Sequence, residues 1–247
     1  MDKVLFTKDN IDNLLFQLAK EYKRINRKNT PAEIVIIGGA AIVSKYGFRA
    51  STTDIDSLIF ASSSMEDAIN NVGDKNGLAK GWINEEFRKT SSYTEKIRQY
   101  SRHYKLFANI LEVRMLPPEY DVAMKLASLR PYKYDMSDAV GIIKSENVTR
   151  EQIEKAVVDL YGGFQNLSHS DEAEKLLDSI FEAYNLDELY DSTRTSEFDN
   201  RVILKDIDDK YPNLLNEGNL ASVLEAAKSK KDKKPKKEKR KIPNCVE

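Results

Sequence analysis

The feature that most restricts the fold is an unbroken run of branched aliphatic residues, Ile34 to Ile37, which ends in the glycine pair Gly38-Gly39. A strand that is apolar on both of its faces is normally buried on both, which favours a sheet covered by helices. The glycines end the run and permit a backbone turn that other residues resist. We therefore expect an α/β fold with a sharp turn at the end of an interior strand.

A second strand is predicted over residues 54–60, and two carboxylates, Asp54 and Asp56, stand at its start. Side chains at positions i and i+2 of a strand point to the same side, so both acids could grip one hard cation. The helix suggested over residues 40–46 would direct its free N–H groups at phosphate oxygens. The alternative is that the acids form a solvated strand start, because Asp is common at turns.

Helical spacing of apolar residues covers two long parts of the chain. One helix is predicted to open at Thr7-Lys8-Asp9, and residues from Thr149 onward recur at helical spacing nearly to the C-terminal tail. Between them, residues 104–108 and 111–116 are predicted to pair as antiparallel strands. The expected architecture is a small mixed sheet flanked by helices and followed by helices alone.

The chain is predicted to have three parts: residues 1–145 as an α/β (α+β) domain, residues 146–227 as an all-helical domain, and residues 228–247 as a tail. Between residues 228 and 241 there are ten Lys or Arg against two acids, so the net charge of -1 hides an acidic body. Such a tail buries too little apolar surface to fold and is expected to be disordered. It could neutralise nucleic-acid phosphates, or it could serve solubility or pair with the acidic body.

Composition excludes several classes of site. Cys245 is the only cysteine, which rules out an intramolecular disulfide and a cysteine-rich zinc site. His103 and His169 lie far apart in sequence, which argues against a histidine-based metal site. No run approaches the roughly 20 apolar residues of a membrane span, and the first residues lack a signal-peptide pattern. We therefore expect a soluble, cytoplasmic protein with no membrane association.

Aromatic and basic residues alternate over residues 93–105. Such a stretch could stack on and neutralise a single-stranded nucleic acid. A half-exposed edge strand shows the same pattern, and it is the interpretation that we prefer.

Two motifs together resemble a known superfamily. The glycine pair, a short helix and the segment 49–56, RASTTDID, are similar to the nucleotidyltransferases of the DNA polymerase beta-like superfamily. Further along, the segment 125–130, KLASLR, followed by Asp135 and Asp138, resembles the second motif of the abortive-infection (AbiEii-type) toxin branch and its uncharacterised relatives. The motifs occur in the expected order within residues 33–161. The resemblance therefore implies a nucleotidyltransferase core in the α/β domain.

The resemblance also implies a reaction and its metal site. The reaction is transfer of a nucleoside monophosphate from an NTP to a hydroxyl of RNA or of a protein, with Mg²⁺ or Mn²⁺ as cofactor. Asp54 and Asp56 would hold the metal, and Glu112, on a later strand, is the expected third acid. Asp121 is a weaker rival for that third place, since it is expected on a helix surface. Glu112 could instead pair with Arg114.

Other residues are expected to contact the nucleotide. Gly38 and Gly39 would approach the phosphates, and Lys125 and Arg130 would neutralise their charge, Lys125 also taking a catalytic role. The alternative for Lys125 is an exposed helical lysine. The alternative for Arg130 is a buried ion network with Asp135 and Asp138 that fixes helix packing.

The branch resemblance implies a toxin or phage-defence role in a bacterium, with an antitoxin-like protein as a possible partner. A second hypothesis comes from a different class of protein. The fold could serve as a catalytically silent binding module for a protein or nucleic-acid partner, and a missing third acid would favour it.

Overall fold

The computed structural model describes residues 4–26, 30–216 and 218–232. It shows a five-stranded mixed sheet with helices, followed by a helical C-terminal region, which confirms the predicted fold class. The strands are β1 (Ala32–Ile36), β2 (Ile55–Phe60), β3 (Ile83–Asn84), β4 (Arg102–Phe107) and β5 (Leu111–Met115). The α-helices are α1 (Lys8–Ile25), α2 (Gly38–Lys45), α3 (Ser64–Asn76), α4 (Ile97–Tyr100), α5 (Pro118–Ser128), α6 (Asp135–Glu146), α7 (Arg150–Tyr161), α8 (Ser170–Glu182), α9 (Leu186–Lys210) and α10 (Leu220–Asp232).

The sheet has the strand order β3-β2-β1-β5-β4, so β1 is its central strand. β1 runs parallel to β5 and antiparallel to β2, and Ile36 at its end is level with Met115 and with Ser57. The carboxyl ends of β1 and β5 therefore meet the start of β2 at one edge of the sheet. The glycine turn and the two aspartates lie at this edge.

β1 separates two apolar cores, which explains its uninterrupted aliphatic run. Ile34 and Ile36 pack into a core with side chains of α1 and α3, whereas Val35 and Ile37 pack into a core with α5, α6 and α7. All four side chains are fully buried. The sequence pattern thus identified the central strand correctly, because burial on both faces removes the usual alternation.

Gly73 and Trp82 lie in contact between α3 and the short strand β3. α3 continues through Gly73 to Asn76, and a Cβ built at Gly73 would lie 3.1 Å from Cδ1 of Trp82. Because this helical glycine has no side chain, the indole ring of Trp82 can pack closely against the helix. The segment after Trp82 forms the short strand β3. The alternating aromatic and basic stretch ends in β4, which is an edge strand as preferred from the sequence.

The C-terminal helices extend farther than the domain boundary at residue 228 suggested. α10 ends at Asp232, so residues 228–232 of the predicted tail are helical, and the rest of that tail, residues 233–247, lies outside the described residues. Within the described ranges, every helix is too short or too polar to span a lipid bilayer.

A buried carboxylate ties α9 to α6. Glu197, which has no solvent exposure, accepts hydrogen bonds from the backbone N–H groups of Met136 and Ser137 at 2.9 and 3.4 Å and from the Ser137 hydroxyl. The first N–H groups of a helix have no partner within the helix. Glu197 therefore caps α6 from a distant element. It holds in place the turn that carries Asp135 and Asp138.

Removing this cap should destabilise the protein. In Glu197→Ala the two backbone donors and the Ser137 hydroxyl lose a buried acceptor, so we expect the free energy of unfolding to fall by about 1–3 kcal/mol. Urea denaturation measures this change. Glu182→Ala, at an exposed position at the end of α8, is the matched control and should change it by less than about 0.5 kcal/mol. Equal stability of both variants would show that the cap does not hold α6.

Candidate active site

A cleft of about 540 Å³ opens at the edge where β1 ends and β2 begins. Its walls come from the glycine turn, the start of β2, the end of α5 and the middle of α9. Six of the seven site residues predicted from the sequence line it, namely Gly38, Gly39, Asp54, Asp56, Lys125 and Arg130. Two motifs that are separate in sequence therefore face a single cavity.

The glycine pair brings the start of α2 against the aspartates. Gly38 has a φ of +62°, and a Cβ there would lie 3.3 Å from Oδ2 of Asp56. At Gly39 a Cβ would lie 2.6 Å from Oγ1 of Thr52, which is closer than real contacts allow. Glycine is therefore favoured at position 38 by its backbone conformation and at position 39 by the lack of space for a Cβ.

Asp54 and Asp56 form an acid pair whose charge the protein leaves largely uncompensated. Burial and the negative charge of Asp54 raise the pKa of Asp56 from 3.8 to about 6. In the part of the chain that the structure describes, no donor forms a hydrogen bond with the Asp56 carboxylate, and Asp54 has only a 3.4 Å contact with the Thr53 hydroxyl. By contrast, the buried carboxylates of Asp121 and Asp135 accept hydrogen bonds, and so does Oδ2 of Asp138, whose Oδ1 has no hydrogen-bond partner in the described part of the chain.

Glu112 is not brought to the acid pair. In the register of β1 and β5 it is level with Glu33, at the opposite end of the strands from the glycine turn. This places it about 13 Å along the sheet from Asp56. Its Oε1 lies 3.2 Å from Nη1 of Arg114 and 3.5 Å from Nδ1 of His103. On this geometry Glu112 is not the third acid that we expected. The structure shows the alternative, in which Glu112 pairs with Arg114.

Asp121, the rival for the third place, is buried and not on a helix surface as expected. It is 4% exposed and accepts hydrogen bonds from Nζ of Lys45 at 2.7 Å and from the Tyr46 hydroxyl at 2.9 Å. These bonds attach α5 to the end of α2. Nowhere in the described ranges do three His, Cys, Asp or Glu side chains form a group able to hold a metal ion. The acid pair thus offers two carboxylates and no third.

Lys125 belongs to a buried network of ion pairs. Its Nζ lies 3.0 Å from Asp135 and 2.8 Å from Asp138, while Arg130 reaches Asp135 and Arg49 reaches Asp138, at 2.8 and 2.7 Å. Burial lowers the pKa of Lys125, but the two carboxylates outweigh burial and raise it, so the lysine is charged. It is therefore not the exposed helical lysine of the alternative interpretation. The network proposed for Arg130 is present, with Lys125 and Arg49 as further members.

Several cleft residues were missed from the sequence. The guanidinium of Arg194 lies 3.3 Å from the ring centroid of Tyr134, and that of Arg201 lies 4.7 Å from it. Arg194, Glu197 and Arg201 recur at intervals of three and four residues, so they share one face of α9. Their spacing was visible in the sequence, but a charged helical face usually indicates contact with solvent.

Comparison with protein families bears on this geometry. Residues 13–186 match a family described as a nucleotidyltransferase of unknown function (DUF6036). The chain belongs to this family. Comparison with curated proteins and with solved structures gives no match. Membership of the DUF6036 family supports a transferase of the nucleotidyltransferase type, and it does not single out the abortive-infection branch.

The DUF6036 match covers the sheet, the glycine turn, the acid pair and the Lys125 network. It ends at residue 186, where α9 begins. Arg194 and Arg201 therefore enter the cleft from a helix outside the matched region. This helix completes one wall of a site whose other lining residues, apart from Leu5, lie within the family region.

The pKa of Asp56 predicts a change of stability with pH. Because folding raises this pKa from 3.8 to about 6, ionisation destabilises the fold, with no effect below pH 4 and the full effect above pH 6. We expect metal-free Asp56→Asn to be more stable than the parent by about 2–3 kcal/mol at pH 8 and equal to it near pH 4. Denaturation in EDTA at both pH values tests this, with the exposed Asp74→Asn as control. Lower stability of Asp56→Asn at pH 8 would contradict the assignment.

Proposed function

We propose that this protein is a Mg²⁺-dependent nucleotidyltransferase that moves a nucleoside monophosphate from an NTP to a hydroxyl of RNA or of a protein. The observation that carries the proposal is the acid pair, which lies against the glycine turn in a cleft rich in cationic side chains and receives little hydrogen bonding. Family membership supports the same class of reaction.

The donor set fits a hard divalent cation. Mg²⁺ is commonly bound through one or two carboxylates, with substrate phosphates and water completing its shell, so Asp54 and Asp56 suffice as protein ligands. The raised pKa of Asp56 reflects its burial and the negative charge of Asp54, both of which a bound cation would offset. A Mg²⁺ or Mn²⁺ ion there would neutralise triphosphate charge and favour in-line attack of a hydroxyl on the α-phosphorus.

The chain's own residues prepare the cleft for an anionic substrate. Gly38 and Gly39 let the backbone at the start of α2 approach phosphate oxygens closely, where its N–H groups donate. The positive charges of Arg130 and Lys125 act against the raised pKa of Asp56 and so favour its ionised form. Arg130, whose side chain is 38% exposed, can also reach a ligand directly. Lys125 acts mainly through its positive charge and not through direct contact with a ligand, since both of its carboxylate partners are buried.

The biological part of the proposal depends on the motif resemblance alone. The order of Lys125, Arg130, Asp135 and Asp138 resembles the abortive-infection toxin branch. We therefore propose a toxin or phage-defence role, with an antitoxin-like protein that neutralises it. RNA and protein hydroxyls both remain acceptors to be tested.

One observation favours a second candidate function. Relatives in the superfamily usually have a third acid beside the pair, whereas Glu112 lies at the other end of the sheet. A protein that kept the cleft and lost the reaction would bind a nucleotide, nucleic acid or protein without transferring a nucleoside monophosphate.

A labelling experiment separates the two candidates. The protein is incubated with α-³²P-labelled NTPs, Mg²⁺ and cellular RNA or lysate, beside the double variant Asp54→Asn/Asp56→Asn. We expect the wild type to label an acceptor and the double variant to label at least about a hundredfold less. The reason is that the variant loses the acid pair that would hold the metal ion and thereby neutralise the triphosphate charge. Glu112→Gln is the matched control and should retain labelling. Equal labelling by wild type and double variant, or none by either, would refute the enzyme proposal.

A further inference from the structure

Two cationic side chains in the cleft have no acid partner among the residues that the structure describes. Lys133 and Arg201 are exposed, line the cleft and form no ion pair there. The five other basic residues of the lining each lie within 4.0 Å of a carboxylate: Arg49, Lys89, Lys125, Arg130 and Arg194. The charges of those five residues are compensated by ion pairs within the protein. The charge of Lys133 and Arg201 is left for a ligand.

The turn that carries Lys133 is held in place from α9. The backbone N–H of Lys133 donates to the carbonyl of Arg130 at 3.1 Å, which closes the turn. Asn200, which is 2% exposed, donates from Nδ2 to the carbonyl of Pro131 at 2.7 Å. Because Asn200 directly precedes Arg201, this bond also sets where Arg201 leaves the helix. This hydrogen bond therefore helps to position both Lys133 and Arg201.

The ring of Tyr134 also restricts the position of arginine side chains in this part of the cleft. Its ring contacts the guanidinium groups of Arg194 at 3.3 Å and Arg201 at 4.7 Å from the centroid. Such cation–π contacts restrict a long side chain without neutralising it. Arg201 is thus held in the cleft with its charge intact.

Like charges are concentrated here beside the acid pair. Although the Lys133 side chain reaches solvent, partial desolvation in the cleft and the positive charges of Arg130 and Arg201 lower its pKa, while Asp54 acts in the opposite direction. Lys133 therefore lies within electrostatic reach of two arginines and of the acid pair. Unpaired cations next to unpaired carboxylates suit a ligand that brings both a metal cation and several negative charges.

We infer that Lys133 and Arg201, beside Arg130, form a polyphosphate subsite that binds the β- and γ-phosphates of an NTP. The inference rests on the proposed function, in which the acid pair holds a cation on the same triphosphate. The subsite is built from the turn over residues 131–134 and from α9, which lies beyond the family match. A nucleoside monophosphate has no group to place there. The subsite would therefore select triphosphates and retain pyrophosphate after transfer.

Calorimetric titration with Mg²⁺ present tests the subsite. Wild type, Lys133→Gln and Arg201→Gln are each titrated with inorganic tripolyphosphate, with the NTP that binds best among the four, and with the matching monophosphate. We expect each substitution to weaken binding of tripolyphosphate and NTP by about tenfold, because a hydrogen-bonded charge contact is lost. Binding of the monophosphate should change by less than twofold.

Lys175→Gln, at an exposed position on α8 outside the cleft, removes the same charge and should leave all three affinities unchanged. Thermal unfolding confirms that the variants fold. Unchanged tripolyphosphate and NTP affinity in both cleft variants, or an equal loss for the monophosphate, would overturn the subsite. Failure of the wild type to bind tripolyphosphate would overturn it as well. By contrast, a subsite that behaves as expected in a protein that transfers no label would overturn only the proposed reaction.

Discussion

Asp135 and Asp138, both buried on the first turn of α6, form ion pairs with basic residues from four segments, one of them Arg194 of α9. Arg49 comes from the loop before β2, Lys125 from α5 and Arg130 from the residues after α5. Buried charges are tolerated when they are paired and hydrogen bonded, and removing one partner leaves the other uncompensated. Glu197 caps the same turn from α9, so the network joins the sheet-bound half of the protein to the C-terminal helices. The wall of the cleft opposite the glycine turn depends on this network.

Some charged side chains in the cleft are not paired in this way, and they indicate what the cleft could bind. On one side Asp54 and Asp56 carry negative charge that the described residues barely compensate, and on another Lys133 and Arg201 carry positive charge without an acid partner. Uncompensated charge lowers stability, and it is commonly found where a ligand supplies the missing partner. Charges of both signs in one cavity favour a metal-bound polyanion over a ligand of a single charge. The electrostatics therefore support the proposed substrate class, and family membership supports a transferase of the nucleotidyltransferase type.

Local patterns in the sequence predicted the parts of the fold that depend on neighbouring residues. The run before Gly38 predicted the central strand, and the two acids at i and i+2 predicted a pair, which lines one cleft although Asp54 lies just before β2. Glu112 shows where such reasoning ends, because alternation predicts which face a side chain occupies but not how far along the sheet it lies. That distance depends on strand register, which sequence spacing did not provide. The role of α9 was equally hidden, since its charged face contacts the cleft only after α6 and α9 pack together.

The central claim is that the carboxylates of Asp54 and Asp56 hold a divalent cation together with a nucleotide. Electron paramagnetic resonance of Mn²⁺ measures this most directly, by counting the ions bound per chain in the presence of a non-hydrolysable NTP analogue. The wild type should bind Mn²⁺ more tightly with the analogue than without it, and Asp54→Asn and Asp56→Asn should each lose this binding. Undiminished binding of Mn²⁺ and analogue by either variant would contradict the account.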